Sequence, residues 1–123
     1  MPIRILAGTS HPEFAQEVCR HLGVPLTKVF HMKFKNDNTF CRIEESVRED
    51  DIFIIQTSRP PVNDMLMELL LMVDAAKYAS AQRITVVLPY YPYARSDKKD
   101  QPRVPVSARL VADMLETAGA NRI

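Results

Sequence analysis

Short apolar runs alternate along this chain with longer amphipathic stretches, and the alternation predicts repeated strand–helix units. Ile3-Arg4-Ile5-Leu6-Ala7-Gly8 reads as a buried strand closing in a turn. Ser10-His11-Pro12-Glu13 follows with capping-box spacing, in which Ser10 and Glu13 satisfy the free amides of a helix start. Phe14, Ala15, Val18, Cys19 and Leu22 keep one face of that helix apolar, and Gly23-Val24-Pro25 ends it. His11 follows the strand, where it can cap the helix, bond at the surface or point at a ligand.

Residues 27–34 and 39–43 suit two strands joined by the polar turn Lys35-Asn36-Asp37-Asn38, whose short side chains bond locally to the backbone and can also carry a ligand. Asp51-Ile52-Phe53-Ile54-Ile55-Gln56 has the continuous apolar character of a strand covered on both faces, with a polar loop after it. Residues 62–79 form the clearest helix, packing through Leu66, Leu69, Leu70, Val73 and Ala76, with the methionines between Met65 and Met72 as core filler. A further strand at 83–88 exits through Pro89-Tyr90-Tyr91-Pro92-Tyr93-Ala94 into a charged loop at 95–103. A last helix starts near Pro105, turning Ser107 and Arg109 outward and Leu110, Val111, Met114, Leu115 and Ala118 inward, with Gly119 at its end. Asn121-Arg122-Ile123 opens another strand. This order predicts a three-layer α/β domain around a parallel sheet.

Composition narrows the partners. A chain of 123 residues, 46% hydrophobic and 25% charged, supports one soluble core. Sixteen basic and fifteen acidic side chains leave a formal charge of +1, so no nucleic-acid or membrane partner is expected. The apolar stretch at 65–73 is short and contains Glu68, and no basic leader precedes an apolar run, so a cytoplasmic location is expected. Cys19 and Cys41 lack a CxxC or histidine-rich context, which argues against a disulfide or structural zinc and makes Cys19 a packing residue.

Chemistry is less explicit. With three glycines and neither GxGxxG nor GxxxxGK[ST], the chain has no standard glycine-rich phosphate cradle. His11, His21 and His31 fall in different elements without metal-ligand spacing, and His21 and His31 read as structural or solvated. In the 95–103 loop four cations against two carboxylates leave a local charge of +2. That loop is a phosphate approach surface beyond a strand's carboxyl end, or a hydrated charged loop.

Longer motifs go further. Gly8-Thr9-Ser10-His11-Pro12, Ile43-Glu44-Glu45-Ser46-Val47-Arg48, Val62-Asn63-Asp64 with Leu66-Met67-Glu68-Leu69-Leu70, and Pro89-Tyr90-Tyr91-Pro92-Tyr93-Ala94-Arg95 running on through Asp97-Lys98-Lys99-Asp100 and Pro102-Arg103 span most of the chain. Over these motifs the chain closely resembles ribose-phosphate pyrophosphokinases, which transfer the β,γ-pyrophosphoryl group of ATP to ribose 5-phosphate and release AMP. The resemblance implies Mg2+, two phosphoribosyltransferase-like domains per subunit and a homo-oligomer. It implies that the 34–38 loop, with Phe34, Asn36 and Asn38, holds adenine across a subunit interface. It also places Arg95, Ser96, Lys99 and Asp100 in the nucleotide segment, and associates Ser46, Arg48 and Arg103 with an allosteric phosphate. Where the family has glutamate this chain has Asn38, and where it has an arginine–glutamine pair this chain has Arg95-Ser96; both changes alter adenine recognition.

By the same resemblance, the family's magnesium-associated histidine, mobile catalytic loop and acidic ribose-phosphate motif lie beyond Ile123. No catalytic residue is therefore assigned within the chain, and no metal ligand. The expectation is a domain incomplete at its C-terminus, active in a complete parent, inactive alone, and prone to associate or fold marginally through its unfinished sheet. A regulatory pyrophosphokinase-associated subunit and a non-catalytic ATP- or phosphate-binding domain are the alternatives.

Overall fold

A computed structural model describes residues 1–123. Its elements are β1 (Ile3–Ala7), α1 (Pro12–Leu22), β2 (Val29–Lys33), β3 (Thr39–Ile43), β4 (Asp51–Ile55), α2 (Val62–Tyr78), β5 (Arg83–Val87) and α3 (Ser107–Ala118). Strands β1, β4 and β5 form a parallel sheet in the order β1-β4-β5, in which Ile5, Phe53 and Thr85 share one register row. Leu26 bridges to Ile5 at one edge and Arg122 to Thr85 at the other, both parallel, so the expected strand opening at 121–123 is present.

Alternation along the three strands sorts their side chains between two covering layers. Ile5 and Ile55 point to one face and bury against Ala15 and Cys19 of α1. Leu6, Ile52, Ile54, Ile84 and Val86 point to the other and pack on Leu69, Met72, Val73 and Ala76 of α2 and on Val111 and Leu115 of α3. The three-layer α/β reading holds, with most of the core on the α2–α3 side. No helix is long and apolar enough to cross a membrane.

Strands β2 and β3 pair antiparallel as the expected hairpin, Val29 opposite Ile43 and Lys33 opposite Thr39. The hairpin leaves the main sheet and lies along α2, with Val29, Cys41 and Ile43 packed against the large core. Its outer face exposes Phe30, Met32 and Phe34, while the Arg42 guanidinium sits 5.0 Å above the Phe30 ring.

Several local expectations are corrected. His11, not Ser10, is the N-cap of α1, accepting the Phe14 amide at Nδ1 over 3.1 Å. Ser10 is buried and bonds elsewhere, so the capping box does not form. Leu110 is 47% exposed and Met67 49% exposed, because the α3 and α2 contact stripes are narrower than the apolar runs that contain them. Phe14 and Leu22 likewise stay exposed on α1. Burial pushes both thiols up, Cys19 through desolvation alone and Cys41 through desolvation and then the nearby Glu68, so both are packing groups rather than nucleophiles.

At the amino ends of the strands, the register neighbours Asp51 and Arg83 form a two-pronged pair, Nη2 to Oδ2 at 2.6 Å and Nε to Oδ1 at 3.1 Å. Hydrogen bonds from Arg83 hold the Asp51 carboxyl below its usual range against the opposing effect of burial. A depressed carboxyl binds fewer protons folded than unfolded, so its contribution is present above the ordinary aspartate pKa, roughly 3.9, and is lost as pH falls through the lower folded value. Asp51→Asn should therefore lower the urea midpoint near neutral pH and flatten the acid limb of stability. Equal losses at about pH 7 and about pH 3 would reject this linkage.

Candidate functional site

The carboxyl ends of β1, β4 and β5 open into three loops, at 8–11, 56–61 and 88–106, and a buried polar cluster ties the first two together. Gln56, the residue after β4, is 1% exposed. Its Oε1 accepts from the Ser10 amide at 3.1 Å and from the Ser10 hydroxyl, and its Nε2 donates to the Met65 carbonyl and to Glu68 Oε1, each at 3.0 Å. Ser10 Oγ in turn accepts the Thr57 amide at 2.9 Å, and Arg59 donates to the Ser10 carbonyl at 3.1 Å. Glu68, in the second turn of α2, also accepts the Thr9 amide at 2.6 Å and the Thr9 hydroxyl at 3.0 Å.

Gly8 is required by this packing. A Cβ there would overlap the Gln56 amide, so only a bare backbone lets the side chain pass beneath the loop. His31 joins the cluster from β2, its Nε2 within 3.1 Å of the Ala7 carbonyl and its Nδ1 3.9 Å from Glu68 Oε2. Because a carbonyl oxygen only accepts, Nε2 donates to Ala7, and the buried Nδ1 has no hydrogen bond. His31 is thus structural, and His21 is exposed in the last turn of α1, both within the sequence reading.

Beside this cluster lies an open cavity of about 780 Å3 between the β4 exit, the first turn of α2 and the β5 exit. Ser58, Asn63, Asp64, Tyr90, Tyr93, Arg95 and Ser96 line it. The N-terminus of α2 opens at its wall with no side-chain cap, so the positive end of the helix dipole faces the space, with Asp64 as a partial counter-charge. Asp64 also accepts from Lys33 Nζ at 2.7 Å, and the Asp64 bond followed by that of Asp37 raises the Lys33 pKa.

Of the residues singled out from sequence, Arg95 and Ser96 line the cavity. Arg95 is exposed and forms neither an ion pair nor a side-chain hydrogen bond, so pairing with Asp97 or Asp100 is not its role here. Lys99, Asp100 and Arg103 are exposed on the same loop, outside the cavity lining. Phe34, Asn36 and Asn38 occupy the hairpin turn, where Phe34 and Asn38 close a backbone bond of 2.8 Å and Asn36 Oδ1 accepts the Asn38 amide at 3.2 Å. That turn is not part of the cavity wall, and its link to the rim runs through Lys33 and Asp64.

Ser46 and Arg48 lie at the opposite end of the sheet, before β4, with Arg48 beside Glu49, Asp50 and Gln82. One copy of the chain therefore does not bring Ser46 and Arg48 together with Arg103. Sequence reasoning missed Gln56, Asn63, Asp64, Tyr90 and Tyr93 as site residues. Their signal was positional, since each follows or faces a strand's carboxyl end, where ligands of open α/β sheets bind.

The N-terminal domain of ribose phosphate pyrophosphokinase, as a family, matches residues 3–119. A ribose-phosphate pyrophosphokinase of Deinococcus radiodurans is 55% identical over 122 residues, 99% of this chain and 38% of that protein. Ribose-phosphate pyrophosphokinase 2 of Schizosaccharomyces pombe is 54% identical over 121 residues, 98% of this chain and 38% of the relative. The crystal structure of phosphoribosylpyrophosphate synthetase from Mycobacterium smegmatis superposes with a TM-score of 0.98 at 50% identity, covering 100% of this chain and 41% of that one. The chain spans under half the length of these relatives. Since the match runs through every strand of the sheet and both loops that wall the cavity, the chain belongs to the ribose-phosphate pyrophosphokinase family, within its N-terminal domain.

Proposed function

We propose that this chain forms the nucleotide-facing part of a cytoplasmic enzyme that transfers pyrophosphate from ATP to ribose 5-phosphate, giving phosphoribosyl pyrophosphate and AMP. The observation that carries this reading is the unpaired Arg95 guanidinium on the wall of a cavity at the carboxyl edge of the sheet. A planar guanidinium with no internal partner suits a phosphate or an adenine face. Ser96 adds a hydroxyl beside it on the wall, and Lys99 and Asp100, exposed farther along the same loop, add a flexible cation and a carboxylate. Fixing the nucleotide in this way supplies positioning, which is most of what phosphoryl transfer asks of a protein.

The residues present do not make a resident metal centre, because no three His, Cys, Asp or Glu side chains converge. Magnesium enters this reading as part of the ATP substrate, carried on its phosphates, which is how that ion is usually held. A homo-oligomer follows from the same reading. Phe34, Asn36 and Asn38 stand outside their own cavity, so an adenine contact from them reaches a second copy, and the exposed Phe30, Met32 and Phe34 face supports association. An effector phosphate held by Ser46, Arg48 and Arg103 requires two copies for the same reason.

Titration of magnesium–ATP into the purified chain should show saturable binding. Incubation with ribose 5-phosphate should yield no AMP from this stretch by itself, which spans under half the length of its relatives. Absence of ATP binding by a folded chain would overturn the nucleotide reading.

A further inference from the structure

We infer that Asn63 and Tyr93 form a latch that sets how Arg95 and Ser96 face the cavity, making both positioning residues of the nucleotide site; this rests on the nucleotide reading above. Tyr93 has φ of +61°, a left-handed conformation that a bulky aromatic residue adopts only when its surroundings hold it there. Core burial does not hold it, since Tyr93 is 43% exposed. Two hydrogen bonds do. The Tyr93 hydroxyl donates to Asn63 Oδ1 in the first turn of α2, and the Tyr93 carbonyl accepts the Ser96 amide at 3.0 Å.

These bonds bracket Ala94 and Arg95. On the far side the Ser96 carbonyl accepts the Ala108 amide at 3.1 Å, anchoring the turn to α3, so the Asn63 contact is its anchor to α2. Without the hydroxyl bond, Tyr93 is free to relax to negative φ, which rotates the next peptide and swings Arg95. Arg95 has no ion pair of its own, and so nothing else in the chain fixes its guanidinium direction.

Tyr93→Phe keeps the ring and deletes the hydroxyl; Asn63→Ala deletes the acceptor. Magnesium–ATP affinity measured by calorimetry should weaken about fivefold in each, the loss of one net hydrogen bond, and no further in the double variant. In an Arg95→Ala background the same changes should alter affinity less than about twofold, a coupling that a merely structural role would not produce. Unchanged affinity in Tyr93→Phe, or an equal loss with Arg95 already removed, would overturn the latch. If Arg95→Ala weakens binding while Tyr93→Phe does not, the latch alone fails. If Arg95→Ala leaves affinity unchanged, the nucleotide reading fails and takes the latch with it.

Discussion

Gln56→Leu should destabilise the fold by about 3 kcal/mol, more than any single surface ion pair would. Leucine nearly matches the volume of glutamine, so the change isolates hydrogen bonding from cavity formation. Gln56 Oε1 accepts both the buried amide and the hydroxyl of Ser10, and its Nε2 donates to Met65 and Glu68. Removing the side-chain amide strands two donors of buried Ser10, and each buried unpaired donor costs roughly 1–3 kcal/mol. The Glu68 carboxyl keeps its two bonds from Thr9 and loses the third. Urea unfolding should show a lower midpoint with an unchanged slope. A loss under about 1 kcal/mol would show that the 8–11 loop repairs its own bonding, and the cluster would not then be what ties that loop to the β4 exit. Gly8→Ala provides a second approach, because its Cβ displaces the same amide while leaving every polar group in place.

The second large effect falls on binding. Arg95→Ala should weaken magnesium–ATP affinity by about 2–5 kcal/mol, or roughly 30-fold at the least, while changing unfolding free energy by less than about 0.5 kcal/mol. The two numbers separate because Arg95 is exposed and bonds to nothing within the chain. It contributes almost nothing to the fold and is free to contribute to a ligand. Arg95→Lys should recover only part of the affinity, since an ammonium restores the charge and not the planar fork. Added salt should weaken the unaltered protein more than Arg95→Ala, because a screened phosphate contact is lost only where it exists. Near-identical ATP affinity in a folded Arg95→Ala variant would reject this arginine as a nucleotide contact.

What was legible from sequence follows from local periodicity. The strand at 51–55 was legible from its continuous apolar run, because both faces of a central strand in a parallel sheet are covered, and the structure covers both; those at 3–7 and 83–87 were legible as short apolar stretches closed by turns. The hairpin at 29–43 was legible from its polar turn. The charged segment after β5 was legible as a candidate site because open α/β sheets bind ligands at that edge. Ser10 misled for an equally local reason. Its spacing to Glu13 satisfies a capping pattern, but burial under Gln56, 46 residues away, takes its hydroxyl first and leaves His11 to cap.

The chain by itself determined which stretches become strands and helices, the family they belong to, and the loop that carries Arg95, since each depends on neighbours a few residues apart or on contiguous motifs. Tertiary structure alone decided the rest. Parallel crossovers bring residues 8–11, 56–68 and 90–96 to one edge, and that juxtaposition pairs Ser10 with Gln56, Thr9 with Glu68 and Tyr93 with Asn63. The same topology sends Ser46 and Arg48 to the other edge, because they precede a strand whose carboxyl end forms the site. Tyr93 shows the limit most sharply: no glycine or asparagine marks its left-handed turn, and one of the two bonds on it comes from a partner 30 residues upstream.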